Sequence, residues 1–198
     1  MLFGSQVRLF RCVPHLHCFH RTISCCGQHG HPCPCHQRHS RNDKSCRSGI
    51  NSIEIFATKI VALLNRTAVR DLYDISNLQK YGIFDEKEKE LLHKCVVFYS
   101  AIASEKVPNG FYFENILKIT KRQIKTDLLP VLKRHEHFDL DNVQKETIEY
   151  LEELLAMQQN DYEFLTCMER KEYKPALLFS KTNLDRIEKH PMALWKCR

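Results

Sequence analysis

The chain has 198 residues, 43% of them hydrophobic, which leaves room for one good-sized domain and an appendage. No run of about 18 apolar residues occurs, which excludes a membrane-spanning helix. The formal charge of +6 is no sign of a nucleic-acid binder: residues 1–50 hold seven of the 30 basic groups and one of the 24 acids, leaving 23 of each in 51–198.

Residues 1–50 also hold seven of the ten cysteines and seven of the eleven histidines. Between Ile23 and Ile50 there is no large aliphatic or aromatic residue, so this stretch has nothing with which to build a core. Three readings compete for it. A zinc module would want C-x-x-C knuckles, because two ligands on one tight turn must converge on a tetrahedral ion; none occurs, although His15 to His20 and His31 to His36 have histidine-pair spacing. A targeting peptide would explain the arginines and the late first acid, Asp43, but not the cysteines and histidines. The abrupt change of composition near residue 50 favours a disordered or out-of-frame segment, and 1–50 is read as non-structural. Cys95, Cys167 and Cys197 are read as small core or terminal residues of a reducing compartment.

From residue 51 to 198 the chain reads as one mostly α domain, a helical bundle. Ile53, Phe56, Ala57, Ile60 and Leu64 recur at helical spacing and make one apolar stripe. A second, short helix begins near Asp71 and ends by Gly82. Asp85 caps a third, which carries Leu91, Leu92, Val96, Phe98, Tyr99 and Ile102 up to the Pro108–Asn109–Gly110 turn. A fourth is predicted over Lys121 to Lys133, with Pro130 limiting its end. A fifth follows the Asp139–Leu140–Asp141–Asn142 cap and runs through Val143, Ile148, Leu151 and Leu155. Asn160 with Glu163 reads as a capping box for a sixth, through Phe164, Leu165 and Met168. The end, interrupted by Pro175 and Pro191, is expected to pack irregularly on the bundle.

The stretch from Glu54 to Asp74 carries the candidate chemistry. Lys59 and Arg66 stand seven residues apart, almost on one line, on the flank of the apolar stripe. A lysine and an arginine so aligned can grip phosphate oxygens, the first as a point charge and the second as a two-pronged donor. Asp71 and Asp74, at i and i+3, share one face of the next helix. One of them is placed to hold a metal or orient a nucleophile while the other pairs with Arg66 or Arg70. The rival reading of the same spacing is a solvated face tied by weak surface ion pairs.

The stretch resembles the third and fourth motifs of the AbiEii/AbiGii toxin family of nucleotidyltransferases. The third motif, E-x-x-A-x-K-x-x-A-L, is matched by Glu54, Ala57, Lys59, Ala62 and Leu63, with Arg66 following. The fourth, R-D-x-x-D and an aliphatic, is matched by Arg70, Asp71, Asp74 and Ile75. Tyr173–Lys174–Pro175 with Leu177–Leu178–Phe179, and His190 to Trp195, look like the closing segments of bacterial members, so the resemblance covers about 52–198.

The resemblance implies a bacterial, cytoplasmic toxin of a toxin–antitoxin or phage-defence pair, with an α/β N-terminal half and the helical C-terminal half seen here. It implies an NTP and Mg²⁺, an acceptor such as tRNA and a cognate antitoxin. Lys59 would contact the triphosphate, Asp71 or Asp74 would act near the nucleophile or position Lys59, and Arg66 and Arg70 would face phosphate or support the site. The family's Gly-Ser turn and D-x-D strand should lie upstream of Glu54, where Asp43 is the one acid, so no D-x-D is possible there. Asp139–Leu140–Asp141 has the letters in the wrong place and reads as helix-cap chemistry.

The expectation is therefore a truncated or frame-disrupted nucleotidyltransferase, weakly active or inactive. Two rivals remain. One is a non-enzymatic helical module that binds an antitoxin or a separate catalytic half, and the other is a zinc-dependent nucleic-acid binder built on residues 1–50.

Overall fold

The computed structural model describes residues 49–132 and 138–198, which belong to one compact unit. The Cys/His/Arg-rich segment, and with it the zinc, targeting and disorder readings, lies outside the described residues. Among these residues the architecture is helical throughout, with no strand, as the apolar periodicity predicts. The helices are α1 (Gly49–Asn65), α2 (Val69–Tyr81), α3 (Glu86–Ala103), α4 (Glu114–Leu117), α5 (Lys121–Gln123), α6 (Leu140–Leu154), α7 (Gln159–Glu169), α8 (Lys181–Glu188) and α9 (Pro191–Lys196). No helix among them is long and apolar enough to cross a membrane.

The centre of the bundle is α3. It starts at a reciprocal cap in which Asp85 accepts from the Glu88 amide (2.8 Å) and Glu88 accepts from the Asp85 amide (3.0 Å). Leu92, Cys95, Val96, Val97, Phe98, Ala101 and Ile102 are all buried, so apolar residues point in every direction from its axis. The helix α1 lies along it, burying Ile53, Phe56, Ala57, Ile60 and Leu63, with Leu64 half-buried beside them. Each such side chain contributes about 1.5–3 kcal/mol on leaving water. The helix α2 buries Val69, Leu72, Ile75 and Leu78, and ends at Gly82. That glycine has φ +54°, a left-handed conformation that a β-carbon would strain, and its amide reaches back to the Gln79 carbonyl at 3.1 Å.

Three sequence expectations are corrected. The predicted fourth helix is not one α-helix: α5 passes into a π turn at Ile124–Leu128 and a 3-10 turn at Leu129–Val131. Pro130 brings no N–H to the carbonyls behind it, so the α ladder cannot run through this stretch. Lys133 lies outside the described residues.

The buried face of α6 is Leu140, Gln144, Thr147, Leu151 and, just past its end, Leu155, while Val143 and Ile148 are half-buried. Gln144 holds a core position here because it donates to the carbonyls of Ile116 (2.6 Å) and Ile119 (3.3 Å), whereas the buried Thr147 hydroxyl has no hydrogen-bond partner among the described residues. Asp139 is the N-cap residue of α6 by position, but its side chain makes no capping bond. Finally, α7 begins at Gln159 rather than after Asn160, because the residue that reaches back is Asp161, which accepts from the Gln158 amide at 2.7 Å.

The irregular end packs on α3 through Phe98, whose ring meets those of Tyr173, Phe179 and His190 at centroid distances of 6.4, 5.9 and 5.2 Å.

Asp161 also explains the one buried pair of ionisable side chains among the described residues. His93, on α3, places Nε2 2.8 Å from Asp161 and Nδ1 2.9 Å from the Leu154 carbonyl, so one imidazole ties α3 to the end of α6 and the start of α7. Burial pushes the Asp161 carboxyl up, but hydrogen bonds from His93 and the Gln158 amide outweigh it and hold the group below its ordinary value of 3.8. A depressed carboxylate lends stability that is complete above the unfolded value and is lost as pH falls through the lower folded value. Asp161→Asn should therefore cost about 3–5 kcal/mol at neutral pH. It should also flatten the loss of unfolding free energy below pH 3.8. Urea titrations at several pH values measure both.

Candidate functional site

Two helices and a three-residue turn build the site. Lys59 leaves the flank of α1 and Asp71 and Asp74 leave one face of α2, while Arg66 opens the turn between them. The Lys59 ammonium is shared between both carboxylates, 2.6 Å from Asp74 Oδ2 and 3.5 Å from Asp71 Oδ1. Arg66 Nη2 reaches Asp71 Oδ2 at 3.2 Å. Four residues predicted from spacing thus meet in one cluster of two cations and two carboxylates.

Exposure separates these contacts. The side chains of Lys59, Asp71 and Asp74 are 22, 12 and 25% exposed, whereas Arg66 is 68% exposed. The Lys59 contacts are partly withdrawn from water, and Arg66 spends one nitrogen on Asp71 while most of its guanidinium faces solvent. The surface-pair rival predicted from spacing therefore describes Arg66 better than Lys59.

Arg70 stands outside this cluster. Its Nε–H donates to the main-chain carbonyl of Asp127 at 2.9 Å, a bond to the π turn. Glu54 lies one turn before Lys59 on the side toward α3, where its charge adds to the effect of burial that pushes the Cys95 thiol up to about 12. The apolar motif positions do a different job. Ala57, Leu63 and Ile75 are fully buried, and an alanine at 57 lets α1 lie close on its neighbour.

Sequence reasoning missed the residues that hold the turn. Asn115 Nδ2 donates to the Leu64 carbonyl at 2.7 Å, and Gln123 Nε2 donates to the Thr67 hydroxyl at 3.2 Å. The signal for Gln123 was legible, since Thr120 and Gln123 have capping-box spacing. Nothing in the spacing marks Asn115.

The cluster does not suit a divalent metal. Both carboxylate oxygens of Asp71 and Oδ2 of Asp74 are already engaged by Lys59 and Arg66, and no group of three or more His, Cys, Asp and Glu side chains could hold a metal ion among the described residues. What it can do is receive anionic oxygens at Lys59 and Arg66, and accept a proton at a carboxylate released from them.

Charge removal should separate the partly buried contacts from the open one. Lys59→Met should cost about 1–3 kcal/mol because it strands two partly buried carboxylates. Arg66→Met should cost less than about 1 kcal/mol. Equal losses in urea unfolding would show that the two pairs are equally solvated.

Residues 50–172 match the family described as nucleotidyl transferase AbiEii toxin, type IV TA system. Neither the curated proteins nor the solved structures yield a match.

Proposed function

This chain belongs to the nucleotidyl transferase AbiEii toxin family of type IV toxin–antitoxin systems, and on that footing we propose that Glu54–Asp74 is the phosphate-gripping half of a nucleotidyl-transfer site. The family generally uses an NTP and Mg²⁺, and a toxin of this kind has an antitoxin as its counterpart. The carrying observation is the shared ammonium of Lys59, held by Asp71 and Asp74 beside the open guanidinium of Arg66. Lys59 and Arg66 would take the triphosphate oxygens of the incoming nucleotide. As Lys59 turns to phosphate, one of the two carboxylates is freed to take the proton of the acceptor hydroxyl, for which a tRNA end is the proposed source. The acceptor oxygen then bonds to the α-phosphorus, the bond to the β-phosphate oxygen breaks, and pyrophosphate leaves.

Transfer by this chain is proposed to be weak. Upstream of Glu54 the sequence holds the single acid Asp43, which cannot make the acidic pair that paired metal ions require. Arg70 is assigned a supporting role, consistent with its bond to the Asp127 carbonyl.

The full chain incubated with radiolabelled NTPs, bulk tRNA and Mg²⁺ should transfer little label, while binding NTP measurably. Lys59→Ala should abolish that binding. Robust metal-dependent transfer would overturn the half-site reading, and unchanged binding by Lys59→Ala would overturn the role of Lys59.

A further inference from the structure

We infer that Gln123 and Asn115 are positioning residues that act on nucleotide through Arg66, an inference that rests on the phosphate-gripping reading above. The turn from Asn65 to Ala68 has little of its own to define it. Within it the amide of Arg66 bonds back to Ala62 (3.0 Å) and that of Ala68 to the Arg66 carbonyl (2.9 Å). Arg66 itself reaches out of the turn with 68% of its side chain in solvent, a long side chain whose direction depends on the backbone that carries it.

That backbone is braced from a single distant segment. Asn115 holds the Leu64 carbonyl at the end of α1, Gln123 holds the hydroxyl of Thr67, and the carbonyl of Asp127 holds Arg70 at the start of α2. The three contacts bracket Arg66 on both sides in sequence.

Gln123 is suited to this task by the way its amide is divided. Its Oε1 accepts from both the amide (2.8 Å) and the hydroxyl (2.9 Å) of Thr120. With one end of a planar amide pinned by two donors, the Nε2 end has one direction left, and Thr67 lies along it. The brace is in turn tied to the core, because Gln144, buried on α6, donates to the carbonyls of Ile116 and Ile119 on either side of the α4 end. A run of three amide side chains therefore leads from the core to the turn that carries Arg66.

Capping and bracing are separable by substitution. Thr67→Val removes the hydroxyl that Gln123 Nε2 reaches and leaves the bonds between Gln123 and Thr120 in place, whereas Gln123→Ala removes both. Binding of each of the four radiolabelled ribonucleoside triphosphates to the full chain is measured by equilibrium dialysis. Amide exchange at Arg66, Thr67 and Ala68 is followed by NMR in parallel.

Both substitutions should weaken NTP binding by about five- to tenfold and speed exchange at the turn, with α3 protection unchanged. In an Arg66→Ala background the same substitutions should change binding by less than about twofold, since the route through Arg66 is already gone. Wild-type binding by Thr67→Val, or equal losses with and without Arg66, would overturn the positioning role. Unchanged exchange at the turn would overturn the brace alone, and absence of NTP binding by the unaltered chain would overturn the reading of the site on which it rests.

Discussion

The burial of α3 from Leu92 to Ile102 is the constraint from which the rest of the bundle follows. A helical stretch so apolar must be covered on most of its surface, and α1, α6, α7 and α9 each take part of it, while Glu86, Lys87 and Glu90 keep the first turns of α3 in solvent. Coverage has a polar cost, because any donor or acceptor on such a helix loses water and must find a partner within the protein. His93 meets that requirement with both ring nitrogens, and in doing so fixes where α6 stops and α7 starts. The same packing decides the site. With its apolar stripe committed to α3, α1 keeps Lys59 on its flank, where α2 lays its two carboxylates against it.

On the proposed reading, the cluster at Lys59 would be an anion-binding site that is stable without its ligand. A lysine and an arginine held side by side repel one another and would otherwise splay into solvent. Asp71 and Asp74 supply the charge that phosphate would supply, so the cations wait in position. The same carboxylates then compete with the ligand, and the affinity of such a site reflects an exchange of anions more than a gain of contacts.

Much of this was legible before the fold was known, and the gaps have physical causes. Helices with a clean apolar stripe, such as α1, or with a side-chain cap, such as Asp85 for α3, were readable because period and cap are local. The grouping of Lys59, Arg66, Asp71 and Asp74 followed from helical spacing across one short turn. Arg70 could not be placed from spacing, since its partner is a backbone carbonyl 57 residues away. Gln144 and Asp161 were not singled out for a related reason: polar residues enter a core when a distant partner satisfies them, and no local pattern announces that partner. Asn160 looked like a cap because the letters fitted, while the inward pull of His93 on Asp161 moved the start of α7.

The π turn at Ile124–Leu128 has a consequence for how this region can change over time. Such a turn holds one residue more than an α-helical turn, and that surplus residue sets the rotational phase of everything after it. Losing one residue between Thr120 and Pro130 would restore the ordinary winding and rotate the following side chains and carbonyls by about 100°. Leu128 would leave the core and the Asp127 carbonyl would swing away from Arg70. Substitution on the outer surface, at Lys121, Arg122 or Lys125, disturbs none of this. The stretch is therefore permissive in identity and strict in length, so among related chains its residue count should vary less than its letters.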